Sequence, residues 1–240
     1  MPYARKSSLD VGLRTGRTGE ALVSEQARGA ESAIDGASGT AVAAARATTP
    51  SQRARRQAVL AAAIGLAREG GYDAVQMREV AERAGVALGT LYRYFPSKVH
   101  LLATALGDQL EARNRSVAAR RRPADPGDRV LLMFDLLLHD LEADRLLSEA
   151  LVRAMMFADA SVSTEVVRVR EITNRMITES VYGRGHEVDK TDAVVAQIIG
   201  KVFMSDLLGW LGDQMTIDDL RESLVGTVRV ALAGRSVLEP

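Results

Sequence analysis

Apolar residues in this chain recur three and four apart from about residue 51 towards the C-terminus, and nowhere alternate with polar ones over a strand length. That spacing puts them on single stripes of helices. In residues 51–69 the stripe is Val59, Ala62, Ala63, Leu66 and Ala67, with Arg53, Arg55 and Arg56 in the first turn, and Gly70-Gly71 stops it. Short helices are predicted at about 77–84, ended by Gly85, and at about 88–94. Pro96 suits the first turn of a helix from about Ser97 that carries Val99, Leu102, Ala105, Leu106 and Leu110. It ends before Arg120-Arg121-Arg122-Pro123, and 123–128 reads as a loop. Further helices are predicted at 128–141, 144–157, 163–182, 189–211 and 216–233, the last opened by a Thr216/Asp219 capping box. Residues 189–211 are apolar on more faces than a monomer's surface helix needs, so a second burial partner is expected. With no strand and no internal repeat, the fold class is all-α.

Residues 1–48 show no such period. They are rich in Ala, Gly, Ser, Thr and Arg and read as disordered. A start at a non-Met codon such as that of Val42 would remove most of them; a native N-terminal peptide beginning at Met1 or Pro2 excludes that. The 240 residues, 47% hydrophobic and 26% charged, are those of a folded protein of one or two domains. The absence of cysteine excludes disulfides, a thiol nucleophile, a cysteine zinc site and an iron–sulfur cluster. The longest nearly apolar run, 58–67, falls short of the ~20 residues that cross a bilayer. No apolar stretch follows the N-terminal basic residues as in a secretory signal, so a cytoplasmic protein without membrane association is expected. The net charge of zero hides +6 over 51–129 and −7 over 130–240. A basic module before an acidic one fits a polyanion-binding head on a different body, or two ordinary solvated surfaces.

Two short helices joined by a tight glycine turn form a helix-turn-helix pattern. Met77, Val80, Ala81, Ala84, Val86 and Leu91 are the apolar positions that hold the pair together, and Gly85 sits in the turn. The second helix then presents Leu88, Gly89, Thr90, Tyr92, Arg93 and Tyr94, with Lys98 opening the next helix. The N-terminal residues of such a helix reach base edges, while hydroxyls, Arg and Lys grip phosphates. Four of the ten aromatic residues (Tyr72, Tyr92, Tyr94 and Phe95) lie in this small module, Phe95 reading as core.

The run Gly85-Val86-Ala87-Leu88-Gly89-Thr90-Leu91-Tyr92-Arg93-Tyr94-Phe95-Pro96-Ser97-Lys98 resembles the signature of TetR-type transcriptional regulators. The longer segment 71–102 is similar to the KstR-type branch of that family, repressors of cholesterol catabolism, and weaker likeness continues at 157–161 and 207–211. The resemblance implies an N-terminal three-helix DNA-binding domain at 49–98, after the extension 1–48, and a helical ligand-binding and dimerisation domain at 99–240. It implies a homodimer built on the last two helices and a palindromic operator in double-stranded DNA, with half-sites about 34–36 Å apart. It also implies that Arg78, Leu88, Gly89, Thr90, Tyr92, Arg93 and Tyr94 contact DNA, that Lys98 contacts a phosphate and that Leu91 is core. At Leu88, an apolar residue suits a thymine methyl.

In the C-terminal half Met133, Met155, Met156, Met176 and Met204, with Phe134, Phe157, Phe203 and Trp210, read first as core. The same adaptable residues suit a pocket for a bulky hydrophobic effector. The resemblance favours the pocket and implies a steroid CoA thioester, with Met133, Leu137, Met155, Phe157, Met176, Phe203, Leu207 and Trp210 as candidate ligand residues. Arg113, Arg153 and Arg175 are candidates for its mouth. Ligand would shift the population towards a state whose heads are wrongly spaced for the operator, the helix from Ser97 transmitting the change. His100, His139 and His186 sit in no metal motif, no nucleophile elbow is present, and no catalytic residue, metal or cofactor is predicted. The alternatives are a regulator of the same type for efflux or fatty-acid metabolism with another hydrophobic effector, and a helical protein-interaction bundle.

Overall fold

A computed structural model describes residues 49–119 and 123–238, so the disorder predicted for 1–48 lies outside the described residues. The helices are α1 (Pro50–Ala74), α2 (Met77–Arg83), α3 (Leu88–Tyr94), α4 (Lys98–Ala118), α5 (Pro126–Ala143), α6 (Arg145–Met156), α7 (Ser163–Tyr182), α8 (Lys190–Leu211) and α9 (Ile217–Leu238), with a short 3-10 turn at Ala160–Val162. Among the described residues there is no strand, and the fold is all-α as the periodicity predicts.

The breaks between the first helices have local causes. Gly71 takes φ 66°, which stops the regular part of α1. At the end of α2 the Val86 amide donates to the Ala81 carbonyl (3.0 Å) and the Gly85 amide to that of Glu82 (3.2 Å), a Schellman closure on Gly85 at φ 65°. Pro96 lies outside the next helix rather than in its first turn: Ser97 is the N-cap, and its side chain accepts from the His100 amide at 3.1 Å. The Thr216/Asp219 box is formed, the Asp219 amide donating to Thr216 Oγ1 at 3.1 Å and the Thr216 amide to Asp219 Oδ2 at 2.8 Å. The last helix runs five residues beyond its predicted end.

Two apolar cores organise the described residues from Ala54 on, which form one compact unit. The first gathers Val59, Ala63, Leu66 and Ala67 of α1 with Val80, Leu91, Phe95, Leu101 and Leu102. The second gathers Met133, Phe134 and Leu138 of α5, Ile172, Met176 and Ile177 of α7, and the inner stripes of α8 and α9. Helix α6 serves both, giving Leu147, Ala150, Leu151 and Ala154 to the first and Val152 to the second. By length and composition α8 could cross a membrane. Here its Val195, Ile199, Phe203 and Leu207 are buried in the second core, and Asp192 anchors its first turn.

Candidate functional site

Helix α3 is seven residues long, too short to be stable alone, and is held by one peg. Leu91 is fully buried in the first core, and Phe95 behind it is buried as well. With Leu91 inward, the helical period turns Leu88, Gly89, Tyr92 and Arg93 outward, and all four are exposed. Thr90 and Tyr94 flank this face half-buried, and Arg93 lies over the Tyr94 ring at 5.8 Å. A Cβ on Gly89 would meet nothing within 4 Å. On α2, Arg78 is exposed and pairs with Glu82, one turn on, at 3.2 Å. The structure thus brings Leu88, Gly89, Tyr92 and Arg93 onto one continuous face.

Lys98 is placed differently from a free surface cation. Its ammonium donates to the Tyr72 carbonyl at 3.1 Å and sits 3.9 Å from the centre of the Tyr72 ring. Burial lowers its pKa below the ordinary lysine value, Asp73 working against that shift and Arg153 with it. An ammonium has three donors, and the carbonyl takes one.

A cavity of about 690 Å³ is lined by α4, α5, α6, α7 and α8. That is the size of a small-molecule site. Met133, Leu137, Met176, Phe203 and Leu207 line it, as does Met204. Met155, Phe157 and Trp210 do not. Phe157, the C-cap of α6, is 57% exposed and leans on Tyr72 with ring centres 5.8 Å apart. Met155 is half-buried on α6 one turn beyond the lining residues Leu151 and Val152, and Trp210 is buried in the second core with Arg145 4.9 Å from its ring. Of the candidate mouth residues only Arg113 reaches the wall, where it pairs with Asp140. Arg175 pairs instead with Glu111 at 2.8 Å, and Arg153 with Asp73 at 3.3 Å. Sequence reasoning missed Arg68, which reaches the wall from α1 and pairs with Asp144 at 2.6 Å. It also missed Leu110, Leu141 and Leu151, ordinary stripe residues that carried no distinguishing signal.

Helices α8 and α9 leave apolar side chains exposed among polar ones: Val194 is 45% exposed, Ile198 46% and Val230 74%, with exposed Gly226 on α9. At the start of α8 lies a charged cluster that residue types did not announce. The Asp192 carboxylate is fully buried and accepts from His186 Nε2 at 2.7 Å and Arg235 Nε at 2.8 Å. Its Oδ2 also accepts from the Asp189 amide at 3.3 Å, closing a capping box at the start of α8.

The model of bacterial regulatory proteins of the tetR family matches residues 59–105, and that of the tetracyclin repressor-like C-terminal domain matches 124–230. The chain is 40% identical over 188 residues to the HTH-type transcriptional repressor KstR of Rhodococcus jostii (strain RHA1), covering 77% of this chain and 86% of that protein. It is 40% identical over 185 residues to KstR of Mycobacterium tuberculosis, covering 75% and 82%. The crystal structure of a TetR transcriptional regulator from Rhodococcus sp. RHA1 superposes with a TM-score of 0.70 at 28% identity, covering 76% of this chain and 97% of that one.

Proposed function

The chain belongs to the TetR family of bacterial regulatory proteins, and from that premise we propose that it is a cytoplasmic, ligand-released repressor of sterol-catabolism genes. It binds a palindromic operator as a homodimer through a head at 49–98 carried on a body at 99–240. The observation that carries the reading is the outward face of α3: Leu88, Gly89, Tyr92 and Arg93 set by the buried Leu91 and closed off by the Gly85 turn. These residues reach base edges, with Thr90, Tyr94 and Arg78 at the margins and Lys98 on a phosphate. Similarity to two KstR repressors over three quarters of the chain supports the pathway that the KstR-type resemblance implies.

The effector is a steroid CoA thioester. Its apolar rings occupy the cavity against Met133, Leu137, Met176, Phe203 and Leu207, and its charged portion lies against Arg68 and Arg113. The homodimer forms on the α8/α9 face, where Val194 and Ile198, one turn apart on α8, and Val230 on α9 leave apolar side chains in solvent. Release is a population shift, requiring tighter ligand binding to the state with mis-spaced heads.

Fluorescence anisotropy on DNA from the gene's own upstream region, across salt, tests this. Tight binding that falls steeply with salt and is reversed by a steroid CoA thioester is expected. Tight binding indifferent to the thioester removes the effector and keeps the regulator. No binding while a positive-control operator and its own repressor bind leaves a helical interaction bundle. Tyr92→Phe is expected to weaken operator binding by roughly three- to tenfold, one hydroxyl contact, with the dimer intact. Unchanged affinity removes Tyr92 from the contact set.

A further inference from the structure

Phe157 stands out among the residues the effector reading leaves without a role. It is an exposed phenylalanine in a chain with ten aromatic residues, placed at the end of a helix and turned away from the cavity. Its ring meets that of Tyr72, tilted by 50° at 5.8 Å. Arg153, one turn earlier on α6, lies over both rings, 5.0 Å from the Tyr72 centre and 5.7 Å from the Phe157 centre, and pairs with Asp73 at 3.3 Å. The Tyr72 ring also takes the Lys98 ammonium at 3.9 Å, and the Tyr72 carbonyl accepts from it at 3.1 Å. Four side chains from α6, α1 and the start of α4 therefore form one stack that ends on Lys98.

A lysine on a flexible four-carbon stem loses rotamer freedom when it grips a phosphate, and a stem held in place beforehand loses less. The ring and carbonyl of Tyr72 hold it, and Tyr72 in turn is held on one side by Phe157 and Arg153. We infer that Phe157 and Arg153 are positioning residues for Lys98, acting through the Tyr72 ring to keep its ammonium in place for the operator backbone. This rests on the reading of Lys98 as a phosphate contact. The same helix lines the cavity through Leu147, Ser148, Leu151 and Val152, so the stack sets Lys98 one helix away from the cavity wall.

A double-mutant cycle on the full-length dimer tests it, using a duplex selected by the wild-type protein from random-sequence DNA. Lys98→Ala is expected to weaken binding and lower the slope of log K against log salt by about one. Phe157→Ala is expected to weaken binding roughly three- to tenfold in the wild-type background and less than twofold in Lys98→Ala, because the residue whose order it supports is gone. Phe157→Tyr, which keeps the ring, retains wild-type affinity, and Arg153→Met behaves as Phe157→Ala does. Thermal unfolding of each variant separates loss of fold from loss of positioning. An equal effect of Phe157→Ala in both backgrounds, or no effect in either, overturns the inference while leaving Lys98 on its phosphate. A Lys98→Ala protein with wild-type affinity and slope overturns the phosphate reading and the inference together.

Discussion

Asp192→Ala is expected to lower the unfolding free energy by about 3 kcal/mol, the lower end for removing one partner of a buried ion cluster. The lower end applies because Arg235 and His186 keep some exposure and can rehydrate when the carboxylate is gone. For a chain of this size that is roughly 6–12 °C in the thermal midpoint, measured at fixed protomer concentration because the protein is read as a dimer. The loss is large because the carboxylate ties three pieces together: the start of α8, the Tyr182–Asp189 connection through His186, and α9 through Arg235. The effect carries a pH signature. Burial raises the Asp192 carboxyl, and the groups around it, Tyr182, His186, Arg235 and the Asp189 amide, outweigh burial and hold it well below the usual carboxylate range. A depressed native pKa contributes stability that is fully present above about pH 4 and is lost as pH falls towards the native value. The gap in thermal midpoint between wild type and Asp192→Ala therefore narrows below about pH 4. A gap that stays constant into acid shows that Asp192 acts by packing rather than by charge.

That cluster marks the limit of what the chain discloses before it is folded. The head was legible because its determinants are local: Gly71 and Gly85 need positive φ, and Leu91 sits at the right offset from Leu88 and Tyr92. The Thr216/Asp219 box was legible for the same reason. His186, Asp189 and Asp192 are near neighbours, but Arg235 lies 43 positions from Asp192 and these residue types default to the surface, so only the packing of α9 over the start of α8 completes the cluster. The cavity shows the same division. Residue type singled out Met133, Met176 and Phe203, which line the cavity, together with Met155, Phe157 and Trp210, which do not, because type says nothing about where on a helix a cavity opens. Helix α6 is the sharpest case: the period sets Ala150 and Ala154 on one face and Val152 on the opposite one, yet nothing local says that the first face meets the α1 core and the second the other. Lys98 reads as a phosphate contact from its place at a helix start, but its tether to Tyr72 spans 26 positions and has no local signal.

Gly89 separates stability from DNA recognition within one residue. It lies inside α3, where glycine costs about 0.5–1 kcal/mol relative to alanine, and a Cβ there meets nothing in the free protein. Gly89→Ala is therefore expected to raise the unfolding free energy by up to about 1 kcal/mol, partly by restricting the unfolded chain. The operator should respond in the opposite direction. A glycine on the exposed face between Leu88 and Tyr92 allows the helix backbone itself to approach the groove, and a side chain there holds α3 off. Alanine adds one carbon to that gap and leucine four. Operator affinity should fall in that order, with Gly89→Leu losing roughly tenfold to a hundredfold, the scale of one lost close contact or mismatched base pair. The salt slope should change less than it does in Lys98→Ala, since no phosphate contact is removed directly. Thermal unfolding and anisotropy on the same preparations read both effects. A Gly89→Leu protein that binds as wild type does would mean that α3 meets DNA at a distance, with side chains alone. Parallel loss of stability and affinity would mean that the open space around Gly89 is filled in the folded dimer by something other than DNA.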